Sequence, residues 1–515
     1  MTRYPIGIQS FEEMINGNYL YIDKTKVIHR LVTDGKYYFL SRPRRFGKSL
    51  LVSTLEAYFL GKKDLFKGLA MEQLETEWTQ YPVFHVDMSL SDDQQVAKPE
   101  EYLNNLLEGW ENVYGKVPSE TTFALRFAGV IKRACEQCDR QVVILVDEYD
   151  KPLLDAIDDA EAHAQIRSLI KSFLGVIKPM GQYIRFALIT GVSRFSRVSI
   201  FSDLNNLNDI TMSRKYETIC GITDDEIDTA CRESVQQLAD FHHVSYERMR
   251  EQLRNYYDGY HFVYPGTAMY NPFSLFRCLD EQVLDRYWFD SGTPTFLVKL
   301  MKSNQWYLEN ISGATISSTN LNVIDSYERN PLPLFVQAGY LTITDYNRED
   351  DEYTLDFPNE EVRKGFINFI WSYYIPAQVN NTPFDIKYFR TAIRQGDPEE
   401  FMRLMQAMFA SVDYSLSAGH EEVYFQNVMY IFAMFLGLSV TVERHTSHGR
   451  IDMDIITDKY VYLFEFKVDE TAQKALQQIN EKGYAAPFVT TGKTIYKIGV
   501  NFSSTTRTIT DWLIE

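Results

Sequence analysis

The string Arg42-Pro43-Arg44-Arg45-Phe46-Gly47-Lys48-Ser49 constrains this chain more than any other segment. It follows an apolar run, Tyr37 to Leu40, and precedes Leu51, Leu55 and Phe59 at helical spacing, with Gly61 as the stop. A strand that ends, a turn, and a helix starting at Lys48 present unpaired N–H groups and a positive dipole end to whatever lies in the turn. That is a phosphate site of the Walker A kind. Gly47 lets the backbone approach closely, Lys48 reaches the β and γ phosphates, and the Ser49 hydroxyl ligates the Mg²⁺ of bound ATP. Arg44, Arg45, Phe46 and Leu50 complete the expected nucleotide contacts. Arg42 stands where such loops usually carry their first glycine; Pro43 would set the turn instead, and Arg44 and Arg45 add charge that reaches phosphate.

A second segment turns this from a basic turn into a nucleotide site. Val142 to Val146 is an apolar strand ending in Asp147-Glu148, the Walker B form, with another strand between it and the loop. Asp147 would hold Mg²⁺ through water, and Glu148 would polarise the water that attacks the γ-phosphate. Thr190, at the end of the apolar run Ile184 to Ile189, reads either as a γ-phosphate sensor or as a simple strand terminator. Arg194 and Arg197 read either as arginine fingers, in cis or in trans, or as salt-bridge partners. Asp23 reads as a helix N-cap.

Around these motifs the first ~220 residues alternate short β runs with helical stretches, the pattern of a doubly wound parallel sheet. Tyr37–Leu40, Val83–Met88, Val142–Val146 and Ile184–Ile189 are nearly all apolar, as strands covered on both faces should be. From Asp224 to Tyr374 the chain turns helical, and Tyr340–Tyr346 and Tyr353–Phe357 flank a polar turn, which suits a winged-helix-like lid. Pro376, Asn380, Asn381 and Pro383 form the most linker-like stretch. The expected fold is therefore α/β in three parts: a P-loop NTPase sheet domain (1–222), a helical, winged-helix-like middle (223–375) and a C-terminal α/β domain (384–515). At 515 residues several cores are needed.

The C-terminal part holds a second chemical constellation. Gly449-Arg450-Ile451-Asp452-Met453 begins one strand, Val461 to Lys467 forms the next, and a turn at Thr457–Lys459 pairs them as a hairpin. Alternation puts Glu465 and Lys467 on one face, where Asp452 meets them. Two carboxylates that hold Mg²⁺ or Mn²⁺, with an ammonium to orient water and steady phosphate charge, suit phosphodiester hydrolysis. Glu422 or Glu443 would complete the metal shell, and Gln478 would orient substrate or a ligand. An ionisable pair inside a strand as apolar as Val461–Phe466 argues against a salt-bridged surface hairpin.

Composition narrows the partners. A net charge of −18 excludes coating of nucleic acid by bulk electrostatics, and residues 381–515 carry 13 Lys and Arg against 17 Asp and Glu, so any such contact rests on local patches. Five scattered cysteines suit a reducing cytoplasm. Met1–Glu13 lacks an apolar signal core, and the longest apolar run, Val428–Val440, reads as a buried helix too short to span a bilayer. Cys135 and Cys138 lack a second pair for zinc. His85 reads as a core histidine, and His445 and His448 as loop residues.

Tyr4-Pro5-Ile6-Gly7, Tyr21-Ile22-Asp23-Lys24-Thr25, the Arg42–Ser49 string and Asp147-Glu148-Tyr149-Asp150-Lys151-Pro152 together resemble the bacterial AAA-ATPase-like family with a C-terminal PD-(D/E)XK nuclease-superfamily domain. Leu204–Leu207, Tyr257–Tyr260, Ser291–Phe296, Gly449–Asp452, Glu465–Lys467 and Gln478-Ile479 carry the resemblance nearly to the end. It implies that Arg42 is the family form and that Asp452, Glu465, Lys467 and Gln478 are the nuclease-motif positions. Asp454 departs from the apolar residue usual there, and reads either as an added metal ligand or as a sheet-edge residue. The resulting expectation is an ATP-binding switch controlling a nuclease, DNA favoured over RNA, with oligomerisation allowed and a role in defence against mobile DNA. The alternative is an NTPase signalling or scaffold module whose nuclease-like domain only binds nucleic acid or a protein partner.

Overall fold

The computed structural model describes residues 2–89, 99–156, 159–194, 206–290, 311–321, 330–374, 378–379, 382–383, 386–410, 428–432, 436, 439–446, 449–506 and 508–515. The chain divides into two compact units: Met1–Gly292 with Gly313–Arg363, and Thr293–Ser312 with Lys364–Glu515.

In the first unit the apolar runs form β1 (Tyr37–Ser41), β2 (Val83–Asp87), β3 (Val142–Asp147) and β4 (Ile184–Gly191), joined by the two-residue β5 (Asn208–Asp209). All pair in parallel, in the order β2-β3-β4-β1-β5. The chain leaves β1, crosses two strands to reach β2, and returns, so the carboxyl ends of β1, β3 and β4 lie side by side. Ligands bind beyond such ends. Every residue of β3 is buried, as its continuous apolar sequence requires. The expectation of two covered faces fails for β2, which lies at the sheet edge and alternates half-buried with buried. His85 accordingly is not a core residue; its Nδ1 lies 3.0 Å from Glu56 Oε2 in a half-buried pair.

Helices Pro99–Tyr114, Phe123–Cys138 and Ala160–Leu174 cover the sheet through Leu103, Leu107, Phe127, Val130 and Phe173. Each such buried side chain contributes about 2 kcal/mol of transfer free energy. Phe127 stacks on Phe173 with centroids 4.4 Å apart. Asp23 accepts hydrogen bonds from the Thr25 amide (2.8 Å) and hydroxyl at the start of helix Thr25–Asp34.

The helical segment shares this unit. Its first helix, Asp224–Ala230, starts with a capping box between Thr223 and Glu226. Helices Arg232–Phe241, Tyr246–Tyr257 and Pro272–Glu281 enclose a core of Val235, Leu253, Tyr257 and Phe276, against which Tyr4, Ile6, Leu20 and Ile22 of the N-terminus pack. The expected hairpin forms as β7 (Thr342–Asn347) and β8 (Glu352–Asp356), and β6 (Ala314–Ser317) adds a third antiparallel strand beside β8.

In the second unit, β9 (Gln378–Val379) and β10 (Thr382–Pro383) form a short pair. The main sheet holds β11 (Ser439–Thr446), β12 (Gly449–Ile456), β13 (Tyr460–Val468), β14 (Thr494–Phe502) and β15 (Ile509–Ile514) in sequential order. Only β13 and β14 are parallel, because helix Ala472–Glu481 joins them as a crossover. That helix seats Leu476 and Ile479 on Ile451, Val461 and Leu463 of the sheet. The expected turn between β12 and β13 is closed by the Thr457 amide donating to Tyr460 O at 2.9 Å. Of the expected helix Val428–Val440, residues 428–432 and 436 are helical, with Val428, Met429, Ile431 and Phe432 buried, but Ser439 and Val440 belong to strand β11 instead. The linker residues Pro376, Asn380 and Asn381 lie outside the described residues.

Candidate functional site

The first site is built where β1 ends. Gly47 takes the left-handed conformation (φ 90°), which turns the chain into helix Lys48–Phe59, and a Cβ there would meet no atom within 4 Å, so that side of the turn is open. Arg45 (φ 67°) and Glu148 (φ 49°) hold the same strained region without being glycine, and such residues cluster at functional sites. The buried Lys48 ammonium donates to Arg42 O (3.1 Å) and Pro43 O (3.2 Å) across the loop, leaving its third donor for a phosphate oxygen.

Arg44, Arg45, Gly47, Lys48, Ser49, Leu50 and Glu148 line one cavity of about 320 Å³. The N-terminal segment Pro5–Gln9 and Pro272, Phe273 and Phe276 also line it. Sequence reasoning gave these no role. Tyr4–Gly7 stood out only as part of a resemblance, and nothing local in Phe273 or Phe276 marks two residues of a distant helix as cavity wall. Arg45 also lies over the Phe273 ring, 4.8 Å from its centroid.

Phe46 is placed differently from a ring that stacks on a base. Its side chain is buried edge-on against Tyr260 (4.8 Å) and Phe262 (5.3 Å), so only its backbone remains for a ligand. Trp288 Nε1 donates to Arg44 O (3.1 Å), and a Cβ on Gly339 would come within 2.7 Å of Pro43 Cβ. The Arg42–Ser49 loop is thus gripped by the helical segment of its own unit.

Asp147 and Thr190 sit at adjacent strand ends, both buried. The Thr190 hydroxyl donates to Asp147 Oδ1, which also accepts from the Glu148 amide at 3.0 Å. Thr190 therefore orients the acid that would face the metal. Replacing Thr190 by Val should lower ATP turnover about tenfold or more while nucleotide affinity changes little, as loss of an orienting partner typically does; parallel turnover and equilibrium-binding measurements check this. Glu148 lines the cavity, and burial, opposed by Lys48, raises its pKa. Asp150 accepts from the Val192 amide (3.1 Å) and from the Ser193 amide and hydroxyl (both 2.6 Å). Gly191 between them has no room for a side chain, since a Cβ would meet Asp150 Oδ1 at 2.6 Å.

Arg194 does not line the phosphate cavity. It is 5% exposed, with Nε 3.6 Å from Asp209 Oδ2 and its amide donating to Gln337 Oε1 at 2.7 Å. The salt-bridge reading describes it in this conformation, and a finger role would require that pair to open. Arg197 lies outside the described residues.

The second site is built on the facing edges of β12 and β13. Asp452, Glu465, Lys467 and Gln478 all line one cavity of about 460 Å³, together with Arg450, Glu470 and Tyr484. The Phe466 amide donates to Asp452 Oδ2 at 2.8 Å, and Lys467 Nζ donates to Glu465 Oε1 at 3.1 Å. Glu465 is 1% exposed, and its Oε2 is buried with no hydrogen-bond partner. Burial, reinforced by the Asp452 charge and opposed by Lys467, pushes its pKa up to about 7. An orphaned carboxylate oxygen beside a second carboxylate fits a hard divalent cation. Among the described residues no group of three or more His, Cys, Asp or Glu side chains is placed to hold a metal ion; the carboxylates lining this cavity are Asp452, Glu465 and Glu470. Glu422 lies outside the described residues, as does the side chain of Glu443 on β11. Asp454 does not line the cavity. It is fully buried, pairing through both oxygens with Arg444, whose Nη2 lies 3.0 Å from Oδ2.

Because folding raises the Glu465 pKa from the usual ~4.3, its contribution is fully present below about pH 4 and lost as pH rises through about 7. Thermal melts in chelator should therefore show wild type losing stability between pH 5 and 8, by up to about 3 kcal/mol. Glu465→Gln should lose less stability than wild type over that range, the remainder coming from other buried acids such as Asp258, whose pKa burial raises to about 6.

A family model described as "Predicted AAA-ATPase" matches residues 5–201, and one described as "PD-(D/E)XK nuclease superfamily" matches residues 420–512. A protein of Azotobacter chroococcum mcd 1, described as "Uncharacterized protein in vnfD 5'region", is 34% identical over 523 residues, covering 100% of this chain and 99% of the relative. No helix among the described residues is long and apolar enough to cross a membrane, and all five cysteines are unbridged. The two matched segments fall on the two cavities, and the chain belongs to the AAA-ATPase-like family with a C-terminal PD-(D/E)XK nuclease-superfamily domain.

Proposed function

We propose that this protein binds and hydrolyses ATP at the Arg42–Ser49 loop and that nucleotide state controls a Mg²⁺- or Mn²⁺-dependent nuclease in its C-terminal domain, acting on DNA in preference to RNA in defence against mobile DNA. The observation that carries the reading is the convergence of Asp452, Glu465, Lys467 and Gln478, drawn from two strands and a helix, on one cavity. A divalent cation on Asp452 and Glu465 would activate water and neutralise charge on the scissile phosphate. Lys467, bonded to Glu465, meets the phosphate, and Gln478 orients a polar group of the substrate. Arg450 adds to Lys467 the local positive charge that contact with nucleic acid needs in a domain acidic overall. In the first unit Lys48 holds phosphate, Glu148 takes the proton of the attacking water, and Thr190 fixes Asp147. A nucleotide that reshapes the loop moves the contacts to Tyr260, Phe262 and Trp288, which gives the helical segment its role as a lid.

Incubation of the full chain with single- and double-stranded DNA and RNA, in Mg²⁺, Mn²⁺ or chelator, tests the reading. Cleavage that needs the divalent ion is the expected result. Measurable ATP turnover with no substrate cut in either metal supports instead a signalling or scaffold module that only binds nucleic acid or a partner.

A further inference from the structure

A smaller cavity, about 50 Å³, borders the phosphate loop at Arg42 and Pro43, and Arg194, Thr211, Phe262 and Gln337 contribute to its wall. Arg42 is 1% exposed. Its Nη1 donates to Ser41 O (2.9 Å) and Thr211 O (2.8 Å), and its guanidinium lies 3.9 Å over the Phe262 ring. Nε and Nη2 have no hydrogen-bond partner, which leaves three N–H bonds of a buried cation unsatisfied. Gln337 Nε2 is also buried without a partner. The Arg194 amide donates to Gln337 Oε1 at 2.7 Å, so the amide orientation is fixed and Nε2 is the donor. Burial, helped by the like charge of Arg194 and opposed by Cys220, Asp209 and Glu217, pushes the Arg42 pKa down to about 10.

We propose that this cavity binds a small monovalent anion of halide size, held by Arg42 and Gln337, and that the anion braces the phosphate loop. One water needs roughly 10–15 Å³ measured this way, so the space admits a bare halide. Water accepts two hydrogen bonds and must place two hydrogens of its own, whereas the unpartnered Arg42 and Gln337 atoms are all donors; the other unpartnered polar groups on the lining, the Tyr260 hydroxyl and the His261 ring at Nδ1, can donate as well as accept. An anion accepts from all of them and supplies the charge that burial demands. The consequence reaches the nucleotide site because Lys48 Nζ donates to the carbonyls of Arg42 and Pro43. An anion that fixes Arg42 fixes the frame that aims Lys48.

Two measurements on the nucleotide-free full chain test this. Crystals grown in bromide should show an anomalous peak between Arg42 and Gln337. Melting in sodium chloride should exceed melting in sodium gluconate at equal ionic strength, saturably, by about 2 °C once the halide is tenfold above its dissociation constant. Gln337→Glu keeps an acceptor for the Arg194 amide and places a fixed carboxylate against Arg42. That variant should melt alike in both salts, at or above wild type in gluconate. Bromide crystals with only water in the cavity, or a wild type that melts alike in both salts, overturn the proposal, and neither result bears on ATP binding itself.

Discussion

Lys467→Ala or Asp452→Asn lowers divalent-dependent cleavage of nucleic acid at least about a thousandfold, with the melting temperature shifted by only a few degrees. The size follows from what each side chain does. Asp452 is one of three carboxylates on the second cavity, with Glu465 and Glu470, and a cation held there would supply the Lewis-acid chemistry. The asparagine keeps an oxygen for the Phe466 amide, so the β12–β13 pairing survives while the charge is lost. Lys467 is half-buried and its ammonium bonds Glu465, so alanine removes the cation beside the substrate phosphate without opening a large core void. Initial-rate cleavage assays with purified variants, alongside thermal melts, check both halves. Full-rate cleavage in both variants would remove this cavity from consideration as the active site.

Lys48→Ala weakens nucleotide binding by about a hundredfold, the worth of a charge-assisted contact to phosphate in a buried site. The ammonium is aimed by the loop carbonyls of Arg42 and Pro43, a fixed position that Arg44 and Arg45, also on the cavity, do not share. Glu148→Gln separates binding from chemistry. It keeps the cavity shape, retains nucleotide affinity and loses turnover, because the amide cannot accept the proton of the attacking water. Fluorescent-nucleotide titration and phosphate release, measured on the same preparations, distinguish the two variants.

Much of this was legible from local pattern. Continuous apolar runs fixed the interior strands, and the Asp452 and Glu465–Lys467 spacing told which side chains meet, because strand alternation leaves no freedom once the hairpin is given. What local pattern could not supply was contact between distant segments. Thr190 reads equally as a γ-phosphate sensor or a strand terminator until its hydroxyl is seen on Asp147. Phe46, inside the most informative string of the chain, turned inward because Tyr260 and Phe262, more than two hundred residues later, offer it a buried apolar seat. Arg194 follows a strand end as a finger would, yet the two-residue β5, too short to carry a periodic signal, brings Asp209 to it. The wall formed by Pro5–Gln9 and Phe273 has the same origin, since the N-terminal segment packs on a helical core whose position only the tertiary fold defines.

Control of the C-terminal site by the nucleotide site is the central claim, and one assay reaches it directly: cleavage rate of a fixed DNA substrate in Mg²⁺ or Mn²⁺, with and without ATP, for wild type and Lys48→Ala. A wild-type rate that changes at least about tenfold with ATP, a coupling of about 1.4 kcal/mol, and a Lys48→Ala rate that ignores ATP, is the predicted result. Equal wild-type cleavage with and without ATP, in a preparation shown to bind the nucleotide, would contradict it.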